Sequence, residues 1–119
     1  MAEPIDSWET AVAFALTLPD TFLSTSYGKP AVKVASNGRA FLYVGREAES
    51  SFAVAIDLDS IEILKETDPD SFWQTPHYEG WPAVLVRFDS RDPERVRALI
   101  ERSRDRTAAM KPPRSRKKA

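Results

Sequence analysis

The run KPAVKVASNGRAFLYVG, residues 29–45, constrains the fold more than any other part of the chain. Two short stretches of β-branched and aromatic residues flank Asn37-Gly38, and both of these residues tolerate the positive φ that a tight hairpin turn demands. The run therefore predicts two antiparallel strands meeting at that turn. Before Gly28-Lys29-Pro30, TFLSTSY reads as another strand. Further on, SFAVAI alternates Phe52, Val54 and Ile56 with Ser51, Ala53 and Ala55, the period-two pattern of a strand with one buried side. Three or four successive strands make an antiparallel meander.

Helical signals bracket the strands. Ser7, Glu9 and Thr10 suit a helix start and Pro19 its end, which predicts a first helix over 7–18 with Trp8, Val12, Ala15 and Leu16 as its apolar stripe. Asp57 or Asp59 caps a short second helix, SIEILKE, with Leu58, Ile61 and Leu64 on one face; Asp68-Pro69-Asp70 closes it. SFWQT is a brief strand or an extended link. PAVLVRF is a strand with Val84, Val86 and Phe88 opposed to Ala83, Leu85 and Arg87. Asp92-Pro93-Glu94 supplies a cap, a first-turn proline and an acid at the positive dipole end. The third helix then runs to about residue 109, with Val96, Leu99, Ile100 and Ser103 inward and Arg95, Arg97, Arg102, Arg104 and Arg106 outward.

The order α-β(3-4)-α-β(1-2)-α lacks a repeating strand-helix alternation. It indicates a two-layer α+β domain: an antiparallel sheet of about five strands with three helices on one face. A chain of 119 residues fits one such domain, expected over residues 1–110. Residues 111–119 follow as a basic tail expected to be disordered, because two prolines stop the helix and nothing apolar is left to bury.

Side-chain chemistry narrows the function classes. With no Cys and one His, the chain lacks a thiol nucleophile, a thiolate metal site and the usual nitrogen ligands for zinc. SxxK, GxSxG, GxGxxG and a P-loop are all missing. The pairs Asp57/Asp59 and Asp68/Asp70 are most simply read as helix caps. A non-enzyme without cofactor or metal is expected. Since no apolar run approaches membrane-spanning length and no basic leader precedes AVAFAL, a cytoplasmic protein is expected, outside any membrane. A monomer is the expected state.

Charge is unevenly spread. Residues 1–90 hold 6 Lys/Arg and 14 Asp/Glu, a balance of −8, whereas residues 91–119 carry +7. Arg114, Arg116, Lys117 and Lys118 make the tail a candidate polyanion contact or, more plainly, a solubilising terminus. On the strands, Lys33 alternates with Val32 and Val34, and Arg87 with Val86 and Phe88, so both point away from the helices. With Tyr43 between them and Lys29, Arg39 and Arg46 at the border, they form a candidate face for phosphates and base stacking. A solvated sheet with scattered charge is the plainer alternative.

TPHYEGWPAVLVRF, residues 75–88, raises a different possibility. Pro76, Gly80 and Pro82 shape the start of a strand, with His77 and Tyr78 tying the loop down. The same segment, with Trp73, can instead line a small-molecule or protein-binding pocket in which His77 meets an anion and Tyr78 or Trp81 stacks on a ring.

YGKPAVKV, AVAIDLDSIEILKETDPDSFWQTPHY and GWPAVLVRFDSRDPERVRALIE together resemble the MmcQ/YjbR family of small bacterial proteins, over about residues 7–110. Thr75-Pro76-His77-Tyr78 followed by Gly80-Trp81-Pro82 is the closest signature, although the family often has Tyr where Trp81 stands. The resemblance implies a fold grouped with secretion-chaperone-like domains and DNA as the partner, and it brings no catalytic residues. Nonspecific DNA binding through the sheet face and tail is thus the expected function.

Overall fold

The computed structural model describes residues 5–26, 28–44, 51–76, 79–88 and 92–111. The elements in chain order are α1 (Trp8–Leu16), β1 (Thr21–Ser26), β2 (Lys29–Val34), β3 (Ala40–Val44), β4 (Ser51–Ala55), α2 (Leu58–Thr67), β5 (Phe72–Trp73), β6 (Ala83–Arg87) and α3 (Pro93–Ala108). The α+β order of the sequence is present, with six strands rather than about five; SFWQT contributes the two-residue β5. The sheet is antiparallel throughout, in the order β1-β2-β3-β4-β6-β5.

Register separates the two faces. Val32, Leu42, Val54 and Val84 lie in one cross-strand row, and Val44, Phe52, Val86 and Phe72 in the next. Most of these join Ala11 and Ala15 of α1, Ile61 and Leu64 of α2, and Val96, Leu99 and Ile100 of α3 in one core. All three helices therefore cover the same face. Burying each large aliphatic or aromatic side chain there contributes about 1.5–3 kcal/mol. The other face carries the row Ser24, Ala31, Tyr43, Ala53, Leu85 and Trp73. Its Ala31, Ala53 and Leu85 are buried but stand outside the helix-packed core.

Local chemistry fixes the helix starts. Ser7 and Thr10 form a capping box on α1, and Asp92 accepts from the Arg95 amide with Pro93 in the first turn of α3. Asp57 caps α2: its carboxylate accepts from the Ser60 amide at 3.0 Å and from the Ser60 hydroxyl at 2.9 Å. The amide bond is the main reason its pKa lies below the ordinary value. Because the folded pKa is the lower one, the stabilisation is complete above the unfolded value and fades as pH falls through the folded one. Asp57→Ala should thus cost about 0.5–2 kcal/mol in chemical denaturation at neutral pH. Below about pH 4 the gap to wild type should narrow; a gap unchanged with pH would refute the charged-cap account.

Several expectations need correction. Helix α1 is shorter than 7–18; Ala15, Ile61 and Leu64 are buried and Trp8 and Val12 pack against the core as the spacing implies, but Leu16 and Leu58 are exposed while Ala11 and Ser60 are buried. Asn37-Gly38 does not form a two-residue turn. Only Gly38 has positive φ (72°), and the loop is wider, closed by Val34 N–H to Arg39 C=O and Gly38 N–H to Val34 C=O. Asn37 instead reaches across to α3, where its amide donates to the Thr107 and Met110 carbonyls at 2.8 and 3.0 Å and satisfies acceptors that the helix end leaves open. The α3 arginines are not simply outward either. Arg97 lies over the Phe14 ring at 5.0 Å and Arg95 over Phe72 at 5.5 Å, their stems laid along apolar surface.

A β-bulge interrupts the β2–β3 ladder. Val32 pairs with Leu42 but Lys33 pairs with Ala40, so Phe41 is the extra residue. It packs fully buried in the core instead of beside Tyr43.

Candidate functional site

The helix-free face of the sheet holds an open groove of about 810 Å³. Strand β2 supplies Lys29 and Lys33, the β2–β3 loop Gly38 and Arg39, strand β3 Tyr43, and the end of α3 Arg106 and Met110. The opposite wall is Ala55, Trp81, Pro82 and Ala83. Among the described residues four cations line this groove and no carboxylate does. That contrasts with the acidic balance of residues 1–90. The described acids lie outside this lining, and positive charge gathered in one groove is of the kind that concentrates anions.

Each cation is held differently. Lys29 and Lys33 form no ion pair among the described residues. Arg39 is fixed through Nε, which donates to the Lys111 carbonyl. That bond and the Asn37 cap bind the hairpin loop to the end of α3, and thereby bring Arg106 to the same groove. The Arg106 charge adds to the lowering of the Asp57 pKa, after the Ser60 amide bond that is its main cause. Tyr43 donates its hydroxyl to the Ala40 carbonyl at 3.0 Å.

The structure brings together Lys29, Lys33, Arg39 and Tyr43, which the sequence offered as nucleic-acid contacts, and Trp81, offered for a separate ligand pocket. Of the ligand-pocket candidates, Trp81 is the one placed in this groove among the described residues. Arg87 is placed apart from it: on the β6 edge its guanidinium lies 5.7 Å from the Trp73 ring centroid, and its Nε donates to the Asp70 carbonyl at 2.8 Å. Trp73 is likewise outside the groove lining. Arg46, His77, Tyr78, Arg114, Arg116, Lys117 and Lys118 lie outside the described residues, as does the tail from 112 onward.

Arg106 and Met110 were missed as groove residues. Helical periodicity places Arg106 on a solvent face, and only the Asn37 bonds to Thr107 and Met110 reveal that this helix end meets the hairpin loop. No cluster of three or more His, Cys, Asp or Glu side chains suited to a metal occurs among the described residues, and none of their helices is long and apolar enough to cross a membrane.

The YjbR family model matches residues 16–106. A crystal structure of a Deinococcus radiodurans protein with a DUF419 domain superposes with a TM-score of 0.71 at 17% identity, covering 87% of this chain and 79% of that one. At that identity the likeness speaks for the fold alone. No curated protein matched the chain. With three-quarters of its length under the family model and the same α+β architecture in the solved structure, the chain belongs to the YjbR family.

Proposed function

We propose that the protein is a non-catalytic DNA-binding module that holds the phosphate backbone in the groove on its helix-free sheet face. The observation that carries this reading is the groove wall itself, with Lys29, Lys33, Arg39 and Arg106 and no described carboxylate. Phosphate contacts of this kind position a nucleic acid without reading its sequence. The tail adds Arg114, Arg116, Lys117 and Lys118, and the last described residue, Lys111, is bonded to Arg39 of the groove. The chain is therefore beside the groove at Lys111, the residue from which the tail cations follow in sequence.

Salt dependence tests the reading. Four phosphate contacts predict a slope of log K against log salt of about −3 to −4, and an affinity loss of about 50- to 150-fold between 50 and 200 mM salt. Fluorescence anisotropy of a labelled oligonucleotide measures both quantities. Binding that is insensitive to salt, or missing at low salt, would remove the basis for the proposal.

A small-ligand role has one specific observation in its favour, the presence of Trp81 in the same groove, and the cationic lining would restrict such a ligand to anions.

A further inference from the structure

We infer that the groove takes single-stranded rather than duplex nucleic acid, with an unpaired base stacked on the Trp81 indole and the neighbouring phosphates against Lys29 and Lys33. This inference rests on the DNA-binding reading above and specifies its substrate class.

Trp81 is the reason. It is 66% exposed, far more than the partly buried Trp8 and Trp73. Exposure of an indole is unfavourable in water, and one in a groove that is also lined by cations invites a flat, apolar, negatively charged partner. A nucleotide unites those properties.

The backbone carrying Trp81 is held still. Its carbonyl accepts from the Ala83 amide at 2.8 Å and from Gln74 Nε2 at 3.2 Å, and Gln74 also donates to the Ala83 carbonyl at 2.8 Å. The Ile56 amide donates to the Pro82 carbonyl at 3.0 Å, tying the segment to the end of β4. An exposed ring on a fixed backbone loses little freedom on binding, which is what a stacking platform needs. Tyr43, its hydroxyl held by Ala40, gives the groove a second ring.

Duplex DNA fits these features poorly. Its base faces are hidden in the stack, so Trp81 would meet only backbone. Entering the major groove calls for a helix or a two-stranded ribbon, whereas α1 and α2 pack on the opposite face of the sheet and α3 brings only its C-terminal end, Arg106 and Met110, to the groove. Single strands offer both a charged backbone and open base faces, each of which can be matched to residues in this one groove.

The test compares a short oligothymidylate with a duplex of equal length, using wild type, Trp81→Ala and Trp81→Phe. Wild type should bind the single strand more tightly and show quenched tryptophan fluorescence on binding. Trp81→Ala should weaken single-strand binding by about 5- to 150-fold, the range of one base–aromatic stack. Trp81→Phe should retain most of the affinity while losing the quench. Because the side chain is exposed, both variants should keep the wild-type unfolding midpoint. Equal or tighter duplex binding, or an affinity unmoved by Trp81→Ala, would overturn the single-strand inference and leave salt-dependent DNA binding standing. Failure of both nucleic acids to bind at low salt would overturn both.

Discussion

Replacing Lys29 and Lys33 together with glutamine is expected to weaken binding of a DNA oligonucleotide by about 60- to 200-fold at 50 mM salt, each lost phosphate contact removing close to one decade. The effect should be this large because neither ammonium is compensated by an ion pair among the described residues. Glutamine keeps a polar, uncharged head on a somewhat shorter side chain at these surface positions, so the thermal midpoint should be close to wild type. Arg102→Gln is the matching control. Arg102 is an α3 cation whose guanidinium donates to the Ser60 hydroxyl at 3.2 Å, and it does not line the groove. Its loss should leave affinity nearly unchanged.

The largest effect on stability is expected from Phe52→Ala. Phe52 is fully buried at the middle of the sheet, stacked on Phe88 with centroids 5.3 Å apart, and paired in register with Val44 and Val86. Truncating such a side chain costs about 3–5 kcal/mol, the transfer term plus the cavity. Domains of this kind are stable by about 5–15 kcal/mol, so much of the margin would go. Denaturant unfolding followed by circular dichroism measures it. A cost below about 0.5 kcal/mol, within the range of an ordinary surface substitution, would show that the two helix-side rows of the sheet are not the centre of the core.

The contrast between these variants follows from how the two faces are built. On the helix side, apolar side chains of β2, β3, β4, β5 and β6 meet those of three helices. On the other side, Tyr43 is flanked by the small, buried Ala31 and Ala53 and lines the open groove itself. Substitutions in the first layer should alter folding, and those in the second should alter binding.

Much of this division was legible in the sequence because its causes are local. Period-two alternation in SFAVAI and PAVLVRF sets which residues face the helices, and Asp57, Asp92 and Pro93 mark helix starts through bonds spanning three residues. What escaped depends on contacts between distant segments. The bulge that turns Phe41 into the core leaves no mark in a run such as RAFLYV. Asn37-Gly38 reads as a two-residue turn because short-range signals take no account of the end of α3, 70 residues further on, whose open carbonyls engage the Asn37 amide. Arg87 alternates correctly to the open face, yet its reach toward Asp70 and Trp73 takes it to the β5 edge. Trp81 and the lysines appeared as separate candidates because the pairing of β4 with β6, which sets the Trp81 wall beside β3, is a long-range feature.

The central claim is that phosphate is held at the lysines of the open sheet face. Paired salt titrations test it most directly, comparing wild type with the Lys29→Gln/Lys33→Gln variant on the same oligonucleotide. The account predicts that the double variant flattens the slope of log K against log salt by about 1.4 to 1.8, the share of two phosphate contacts. A slope identical to that of wild type would mean that the counterions are released elsewhere on the molecule, and would contradict it.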